Sequence, residues 1–210
     1  CGNGARCIAR YGYEKGLAGE TQRVETTAGL VVGQRRDKRM YTVRLNDITK
    51  FAQDITAKID GKTVQCDYLE LGDPGLPHAV VLLDGDCAMT QEALRELGRK
   101  LRANSAFPKG ANVNFCRVIG ENEVEELTYE RGVEDFTLAC GTGTGSVVAA
   151  LMRRGLVSGE NTRVHVPGGE LFITLNTDPQ TQEITDIYLT GPTNIVAEGE
   201  VCDEELHVLL

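Results

Sequence analysis

The sequence lacks any apolar run that approaches the roughly 18 residues of a membrane-spanning helix, and nothing at its start resembles a targeting peptide. Basic residues are also scarce: 22 Lys and Arg stand against 31 Asp and Glu, which gives a formal net charge of −9. Such a charge repels phosphate groups, so we expect neither a nucleic-acid partner nor an acidic membrane partner. With 41% hydrophobic and 25% charged residues among 210, the composition is that of an ordinary soluble globular protein.

Zinc-site and disulfide patterns are missing as well. No CxxC pair and no Cys/His cluster with zinc-ligand spacing occurs in the sequence. We therefore expect no metal site and no disulfide framework, and we interpret the cysteines as free thiols in a reducing compartment, most of them packed as small hydrophobes. The seven are Cys1, Cys7, Cys66, Cys87, Cys116, Cys140 and Cys202.

Two parts of the chain repeat each other. The segment that starts at Cys1 matches the segment that starts at Cys140, first with a shift of 139 and then, after a one-residue slip, with a shift of 140. Each copy has the pattern of a glycine turn, an apolar helix that ends at a glycine, and then strands. The repeat therefore places the two cysteines equivalently, each just before a helix N-terminus. The matched residues are Cys1, Gly2, Gly4, Gly16, Leu17, Gly19, Glu20, Arg23, Val24 and Gly29 with Cys140, Gly141, Gly143, Gly155, Leu156, Gly159, Glu160, Arg163, Val164 and Gly169.

Hydrophobic periodicity predicts helices over 5–15, 91–101 and 144–154, the second capped by Thr90. Because the remaining segments do not alternate regularly with helices, we expect an α+β fold of two similar halves. Strands are predicted over 23–32, 39–45, 63–71, 79–84, 111–119, 123–130, 162–166, 170–176, 183–189 and 194–201.

The position of the two cysteines suggests proton transfer. A thiol beside a helix N-terminus lies at the positive end of the helix dipole, which favours the thiolate and can lower its pKa from about 8.5 to roughly 3.5–7.5. The same N-terminus, opened by glycines, readily binds a carboxylate. Two such sites around one α-carbon would remove a proton from one face and return a proton to the other, without an aldehyde cofactor. A purely structural role for the cysteines and a nucleotide-binding turn at 141–146 remain as alternatives.

Several motifs resemble the diaminopimelate epimerase family, PLP-independent enzymes that interconvert L,L- and meso-diaminopimelate. Residues 1–6 (Cys-Gly-Asn-Gly-Ala-Arg) resemble its first cysteine motif and residues 139–143 (Ala-Cys-Gly-Thr-Gly) its second. Residues 107–115 resemble its Asn-bearing strand, residues 129–132 (Tyr-Glu-Arg-Gly) the motif before the second cysteine, and residues 189–192 with 198–200 its closing segment. The motifs follow the family's order over nearly the whole chain.

The resemblance implies two pseudo-symmetric halves, each a mostly antiparallel sheet or barrel wrapped around a central helix, with the active site in the cleft between them. The first half would comprise residues 1–45 and 191–210, and the second residues 46–190. The family further implies a cytoplasmic isomerase of lysine biosynthesis that needs no cofactor, acts on a small-molecule amino-acid substrate and has the homodimer as its usual assembly.

The resemblance also implies residue roles. Cys1 and Cys140 would be the two acid/bases, and Glu130 and His78 would keep their thiols in opposite protonation states. The plainer alternatives are a hydrogen-bonded structural histidine at 78 and a surface ion pair at 130–131. The substrate-binding residues would be Gly2, Asn3, Gly141 and Thr142 at the reacting α-carboxylate, and Asn112, Glu130 and Arg131 at the distal end.

Two features depart from the family pattern. Where the family has Gly-Asn-Pro-His, this chain has Gly75-Leu76-Pro77-His78, and a leucine cannot hydrogen-bond a carboxylate. The family also carries a segment before its first cysteine, whereas this sequence opens on Cys1 rather than on a methionine. Two alternatives to a diaminopimelate epimerase therefore stay open: a related racemase of another amino acid, and an incomplete, inactive piece that acts only as a binding domain.

Overall fold

The computed structural model describes residues 1–26, 29–85 and 87–199. Within these residues the chain forms helices α1 to α3 and strands β1 to β12. Their bounds are α1 Gly2–Glu14, β1 Thr21–Thr26, β2 Gly29–Arg35, β3 Met40–Arg44, β4 Ile48–Ile59, β5 Lys62–Leu71, β6 Leu76–Leu82, α2 Gln91–Arg102, β7 Asn112–Gly120, β8 Glu123–Glu130, β9 Asp135–Phe136, α3 Gly141–Arg153, β10 Thr162–Val166, β11 Gly169–Thr177 and β12 Ile184–Pro192. No helix in this part of the chain is long and apolar enough to span a membrane.

The three predicted helices are confirmed, but α1 and α3 begin earlier than expected. Cys1 and Cys140 occupy the N-cap positions, so each glycine-rich turn is the first turn of its helix rather than a loop before it. Both helices end just before a glycine in the left-handed conformation, Gly16 at φ +66° and Gly155 at φ +70°. The cap of α2 is also as predicted, since the Thr90 side chain accepts a hydrogen bond from the third residue of the helix.

Two of the predicted strands differ in the structure. The segment expected over 23–32 is a hairpin, in which β1 and β2 pair antiparallel with Thr26 opposite Gly29. The prediction over 194–201 is wrong for residues 194–199, which form no strand, while residues 200 and 201 lie outside the described residues. The apolar side chains that suggested this strand face solvent, because Ile195 is 52% and Val196 93% exposed.

The structure adds strands β4 and β9, which the sequence pattern did not reveal. β4 pairs with β5 along most of its length, but the register shifts between Ala52 and Ile55. Asp54, inside this irregularity, has a positive φ of 55°. The irregularity interrupts the apolar alternation by which a half-buried strand is recognised.

All the main strands belong to one mixed sheet. Its order is β1-β2-β3-β12-β11-β10-β8-β7-β6-β5-β4, and β9 pairs with β8 off this path. Only the β6/β7 and β8/β10 pairs are parallel among the described strands; the others are antiparallel. The α+β class is therefore confirmed.

The core lies on both faces of the sheet. Helix α3 contacts β5, β6, β7, β11 and β12, because its middle is a continuous buried run of small apolar residues from Val147 to Leu151. Helix α2 packs on the other face through Leu94 and Leu101, with Leu97 partly buried beside them. Successive side chains of β7 point to opposite faces of the sheet. Val113 and Phe115 pack in the core cluster that contains the apolar residues of α2, whereas Cys116 packs in the cluster that contains those of α3.

Candidate active site

The N-termini of α1 and α3 meet above Leu189 of β12. A Cβ atom placed on Gly141 would lie 3.7 Å from the Cα of Gly2, and a Cβ on either glycine would lie 2.7 Å from Cδ2 of Leu189. Only glycine leaves room for this approach of two backbones. The first intrahelical bonds are donated by Ala5 and Thr144, so the N–H groups before these residues have no carbonyl partner within their own helices.

A cleft of about 240 Å³ opens at this meeting point. It brings together both predicted acid/base cysteines and every predicted substrate-binding residue, and it adds Leu76 and Ala139. The lining residues are Cys1, Gly2, Asn3, Leu76, Asn112, Glu130, Arg131, Ala139, Cys140, Gly141 and Thr142.

The two cysteines have different surroundings. Cys1 is exposed, whereas Cys140 is partly buried, with its Sγ 3.6 Å from Oγ1 of Thr142. The pKa of Cys140 is raised to about 11, chiefly by burial and also by the nearby carboxylates of Glu130 and Glu126, against the opposing effect of hydrogen bonds from Thr142 and from the backbone N–H of Gly143. The expectation that the helix dipole makes this thiol acidic is therefore wrong for Cys140: at neutral pH it is a protonated thiol.

The distal wall of the cleft is held in place by Asn112. Its Oδ1 accepts a hydrogen bond from the backbone N–H of Arg131 at 2.8 Å, and its Nδ2 donates to the carbonyl of Pro77 at 3.2 Å. The Arg131 guanidinium in turn donates through Nη1 to the carbonyl of Lys109 at 2.8 Å. These bonds fix the turn that presents Glu130 and Arg131, so Asn112 positions the charged pair as well as lining the cleft.

Near the α1 side of the cleft, Asn3 is oriented by its own helix. Its Oδ1 accepts a hydrogen bond at 2.9 Å from Nη2 of Arg6, which is buried one turn further along α1. This bond leaves the Asn3 amide nitrogen directed away from Arg6, and the backbone N–H of Asn3 belongs to the unpaired first turn.

His78 lies behind the cleft and is absent from its lining. The side chain is fully buried, and its Nδ1 is 3.3 Å from Nδ2 of Asn114. Burial lowers the pKa of His78 to about 3, and the positive charge of Arg131 contributes to the same direction. The imidazole is therefore neutral at physiological pH, and its predicted role in setting thiol protonation stays a prediction.

Sequence reasoning missed a buried polar group beneath Cys140. The carboxyl of Glu126 is fully buried and accepts hydrogen bonds from the hydroxyls of Thr144 at 2.7 Å and Thr128 at 3.2 Å. The same Thr128 Oγ1 lies 3.1 Å from Oδ1 of Asn114, to which its single hydrogen can turn instead, and this contact links Glu126 to His78. The available signal was strand alternation, since Glu126 lies two residues from the core residue Val124 on β8, but the neighbouring run of glutamates obscures it.

The other cysteines divide by burial. Cys66 and Cys116 are buried, as the packing interpretation expects, and burial raises the pKa of the Cys66 thiol to about 12. Cys7 and Cys87 are exposed, so that interpretation is wrong for these two, and Cys202 lies outside the described residues. The glycine run at 141–146 forms the opening turns of α3 itself.

Solved structures share this fold. A probable proline racemase from Agrobacterium radiobacter K84 matches with a TM-score of 0.63 and 18% identity, over 96% of this chain and 68% of that one. A phenazine biosynthesis PhzC/PhzF-type protein from Clostridium difficile strain 630 matches with a TM-score of 0.63 and 10% identity, over 96% and 73%. The class is thus the α+β fold that these two proteins have in common.

Sequence similarity gives the family within this class. The family model described as diaminopimelate epimerase matches residues 72–196. The diaminopimelate epimerase of Methanothrix thermoacetophila is 36% identical over 216 residues, which cover 100% of this chain and 72% of that protein. The one from Aquifex aeolicus is 34% identical over 208 residues, with 98% and 71% covered. The chain belongs to the diaminopimelate epimerase family.

Proposed function

We propose that this chain is a diaminopimelate epimerase, which interconverts the L,L and meso forms by moving a proton between Cys1 and Cys140 across the α-carbon. The observation that carries the proposal is the single cleft in which two helix N-termini and both cysteines meet. The relatives that share 34% to 36% of its residues are named for the same reaction.

The geometry suits an α-amino acid whose carboxylate lies between the helices. The N–H groups of Gly2, Asn3, Gly141 and Thr142 would hold that carboxylate, and both helix dipoles would stabilise the negative charge that develops as the α-proton leaves. Because the donors are backbone groups of two packed helices, they need no rearrangement as the charge grows.

The two thiols divide the proton transfer between them. In one direction the thiolate of Cys1 takes the α-proton, and the thiol of Cys140 gives its proton to the opposite face of the carbanion. Cys1 ends as a thiol and Cys140 as a thiolate, which is the starting state for the reverse direction. The high pKa of Cys140 supports its assignment as the acid in the substrate-free protein.

The distal end of the substrate would contact the charged pair that Asn112 holds. Glu130 suits an ammonium group and Arg131 a carboxylate, and diaminopimelate carries both at its second amino-acid centre. We further propose that the two halves suggested by the repeat, 1–45 with 191–210 and 46–190, face each other across this cleft. The packing of β5, β6, β7, β11 and β12 around α3 supports this arrangement for the second half.

A racemase of another amino acid is the second candidate. Leu76 lines the cleft and is 42% exposed, so part of the wall is apolar and offers no hydrogen bond to a distal carboxylate. This observation favours a substrate with a less polar or shorter side chain than diaminopimelate.

Deuterium uptake at Cα in D₂O, followed by ¹H NMR without added PLP, tests both candidates. We expect exchange with L,L-diaminopimelate, at least a thousandfold loss in Cys140→Ala, and normal exchange in Cys87→Ala, whose cysteine is exposed outside the cleft. Exchange with histidine or glutamate but not with diaminopimelate would favour the second candidate. Persistent turnover in Cys140→Ala would refute the two-cysteine mechanism.

A further inference from the structure

Glu126 is a buried acid that the proton-transfer scheme does not use. It lies on β8, fully buried, and faces the first turn of α3. Its Oε2 accepts a hydrogen bond from Oγ1 of Thr144 at 2.7 Å, and its Oε1 accepts one from Oγ1 of Thr128 at 3.2 Å. Among the described residues its partners are these hydroxyls, and no lysine or arginine pairs with it. A carboxyl buried without a positive partner is costly to ionise.

Thr144 connects this acid to Cys140. The Thr144 hydroxyl is 3.0 Å from the carbonyl oxygen of Cys140, and the Thr144 N–H donates to the same oxygen at 2.8 Å. An ionised Glu126 takes the hydroxyl hydrogen for itself. A protonated Glu126 donates to the hydroxyl oxygen instead, and the hydroxyl hydrogen then turns to Cys140. Both protonation states are satisfied, and they differ in how tightly the Cys140 turn is held.

The charge on Glu126 also acts on the Cys140 sulfur, because a carboxylate opposes the formation of a thiolate nearby. Several other titratable groups surround this region. Glu130 acts on Cys140 in the same sense from the end of β8, and His78 on β6 is neutral. Cys116 lies opposite Glu126 on β7 as a buried thiol whose pKa burial raises. On β5, Asp67 is bound to Arg154, with Oδ1 2.6 Å from Nη2 of the arginine.

We infer that Glu126 is a positioning residue for Cys140: through Thr144 it fixes the first turn of α3, and its carboxylate adds to the burial that disfavours a thiolate at Cys140. The inference deepens the proposed function and rests on it, since a protonated Cys140 matters only if that thiol is the proton donor. It assigns a molecular cause to the difference between two cysteines that the repeat makes equivalent.

Alkylation of Cys140 by iodoacetamide, measured on its own peptide by mass spectrometry, tests this directly and needs no substrate. In Glu126→Gln the hydrogen-bonding shape is kept and the charge is lost. We expect Cys140 to be alkylated several-fold faster than in the wild type at pH 8.5, because the charge that opposes its thiolate is gone, and at nearly the wild-type rate at pH 6. The difference disappears at pH 6 because Glu126, whose pKa burial raises to about 7, is then protonated in the wild type too.

Glu125→Gln is the matched control, because Glu125 is the adjacent residue on β8 and pairs with Arg117 at the surface. It should leave the alkylation profile of Cys140 unchanged. If Glu126→Gln does not fold, Thr144→Val replaces it: the carboxylate loses a stabilising donor, Glu126 ionises at a higher pH, and alkylation at pH 8.5 again becomes faster.

Two results would overturn the inference. The first is an alkylation rate of Cys140 that is unchanged in the variants at both pH values. The second is an alkylation rate raised by the same factor at pH 6 and pH 8.5, because a turn that is only loosened would expose Cys140 equally at both. The failure of the proposed function looks different, because it would appear as an absence of Cα exchange in the wild type, whatever the alkylation rates. Where exchange is seen, Glu126→Gln should also shift its pH profile, while Glu125→Gln should not.

Discussion

The free energy of unfolding should change little with pH near pH 6, because the effects of two buried groups, His78 and Glu126, oppose each other. Removing either group alone should make the free energy of unfolding depend on pH, with opposite sign in the two variants. Both are fully buried, and hydrogen bonds through Asn114 and Thr128 connect them. The perturbations are His78→Gln and Glu126→Gln, each of which removes one titration and keeps a neutral hydrogen-bonding side chain.

The contribution of His78 follows from its lowered pKa. Its ordinary value is 6.5, and burial lowers it to about 3 in the folded protein. Between these two values the unfolded chain binds the proton that the folded protein excludes, so the free energy of unfolding falls as the pH falls. At 1.36 kcal/mol per pH unit, the loss between pH 6.5 and pH 5 is about 2 kcal/mol.

Glu126 contributes with the opposite sign. Its ordinary value is 4.5, and burial raises it to about 7. Between these values the folded protein binds the proton and the unfolded chain does not, so stability is gained as the pH falls and lost as the pH rises through 7. The gain between pH 6.5 and pH 5 is also about 2 kcal/mol, which cancels the loss from His78 in the wild type.

Urea unfolding at pH 6.5, 5.75 and 5.0 measures these slopes, provided that the transition is two-state at each pH. Glu126→Gln should lose about 2 kcal/mol across the range and His78→Gln should gain about 2 kcal/mol. The double variant with His78→Gln and Glu126→Gln is the control, because it removes both titrations and should leave the profile flat. Two variants with the wild-type profile, or with slopes of the same sign, would refute the reasoning.

Two further substitutions test the packing that forms the site. In Gly141→Ala the new Cβ would lie 2.7 Å from Leu189 and push the two helix N-termini apart. We expect the free energy of unfolding in urea to fall by about 1–3 kcal/mol and Cα exchange to be lost. Exchange at the wild-type rate would contradict the close approach. In Arg154→Met the carboxylate of Asp67, which is 3% exposed, loses its arginine partner, and we expect the free energy of unfolding at pH 7 to fall by about 3 kcal/mol. The double variant with Asp67→Leu should recover part of this loss. If it recovers none, an uncompensated buried charge is not the cause.

Much of the fold could be predicted because the local signals were strong. The helix caps and the glycines that end α1 and α3 are short-range features, and they place both cysteines correctly at helix N-termini. β8 and β10 have the predicted bounds, since clear turn residues border both strands. By contrast, β4 was not predicted, because the irregularity at Asp54 interrupts the alternation of apolar and polar residues on which strand prediction depends.

The membership of the cleft was predictable for a different reason. The residues that line it come from motifs whose order and residue types resemble those of a family. The expectation that they lie in one cleft therefore came from that resemblance and not from their spacing in the sequence. At positions that differ from the family pattern, the resemblance gave no structural prediction. Leu76 was recognised as unusual, but its partial exposure in the cleft wall depends on how β6 meets β7, which no local pattern records.

The protonation state of Cys140 shows why site chemistry exceeds what a motif can predict. A helix N-terminus stabilises a nearby anion by typically 0.3–1 kcal/mol, and by up to about 2 kcal/mol where the site is partly buried. In the folded protein the pKa of Cys140 rises from 9.0 to about 11, a net cost of about 3 kcal/mol against the thiolate even with its hydrogen bonds included. Burial and two carboxylates therefore outweigh the dipole. Because the repeat gives Cys1 and Cys140 the same local sequence, their difference must come from what the fold packs around them: first the burial of Cys140, and then the carboxylates of Glu130 and Glu126, both of which lie outside the repeat.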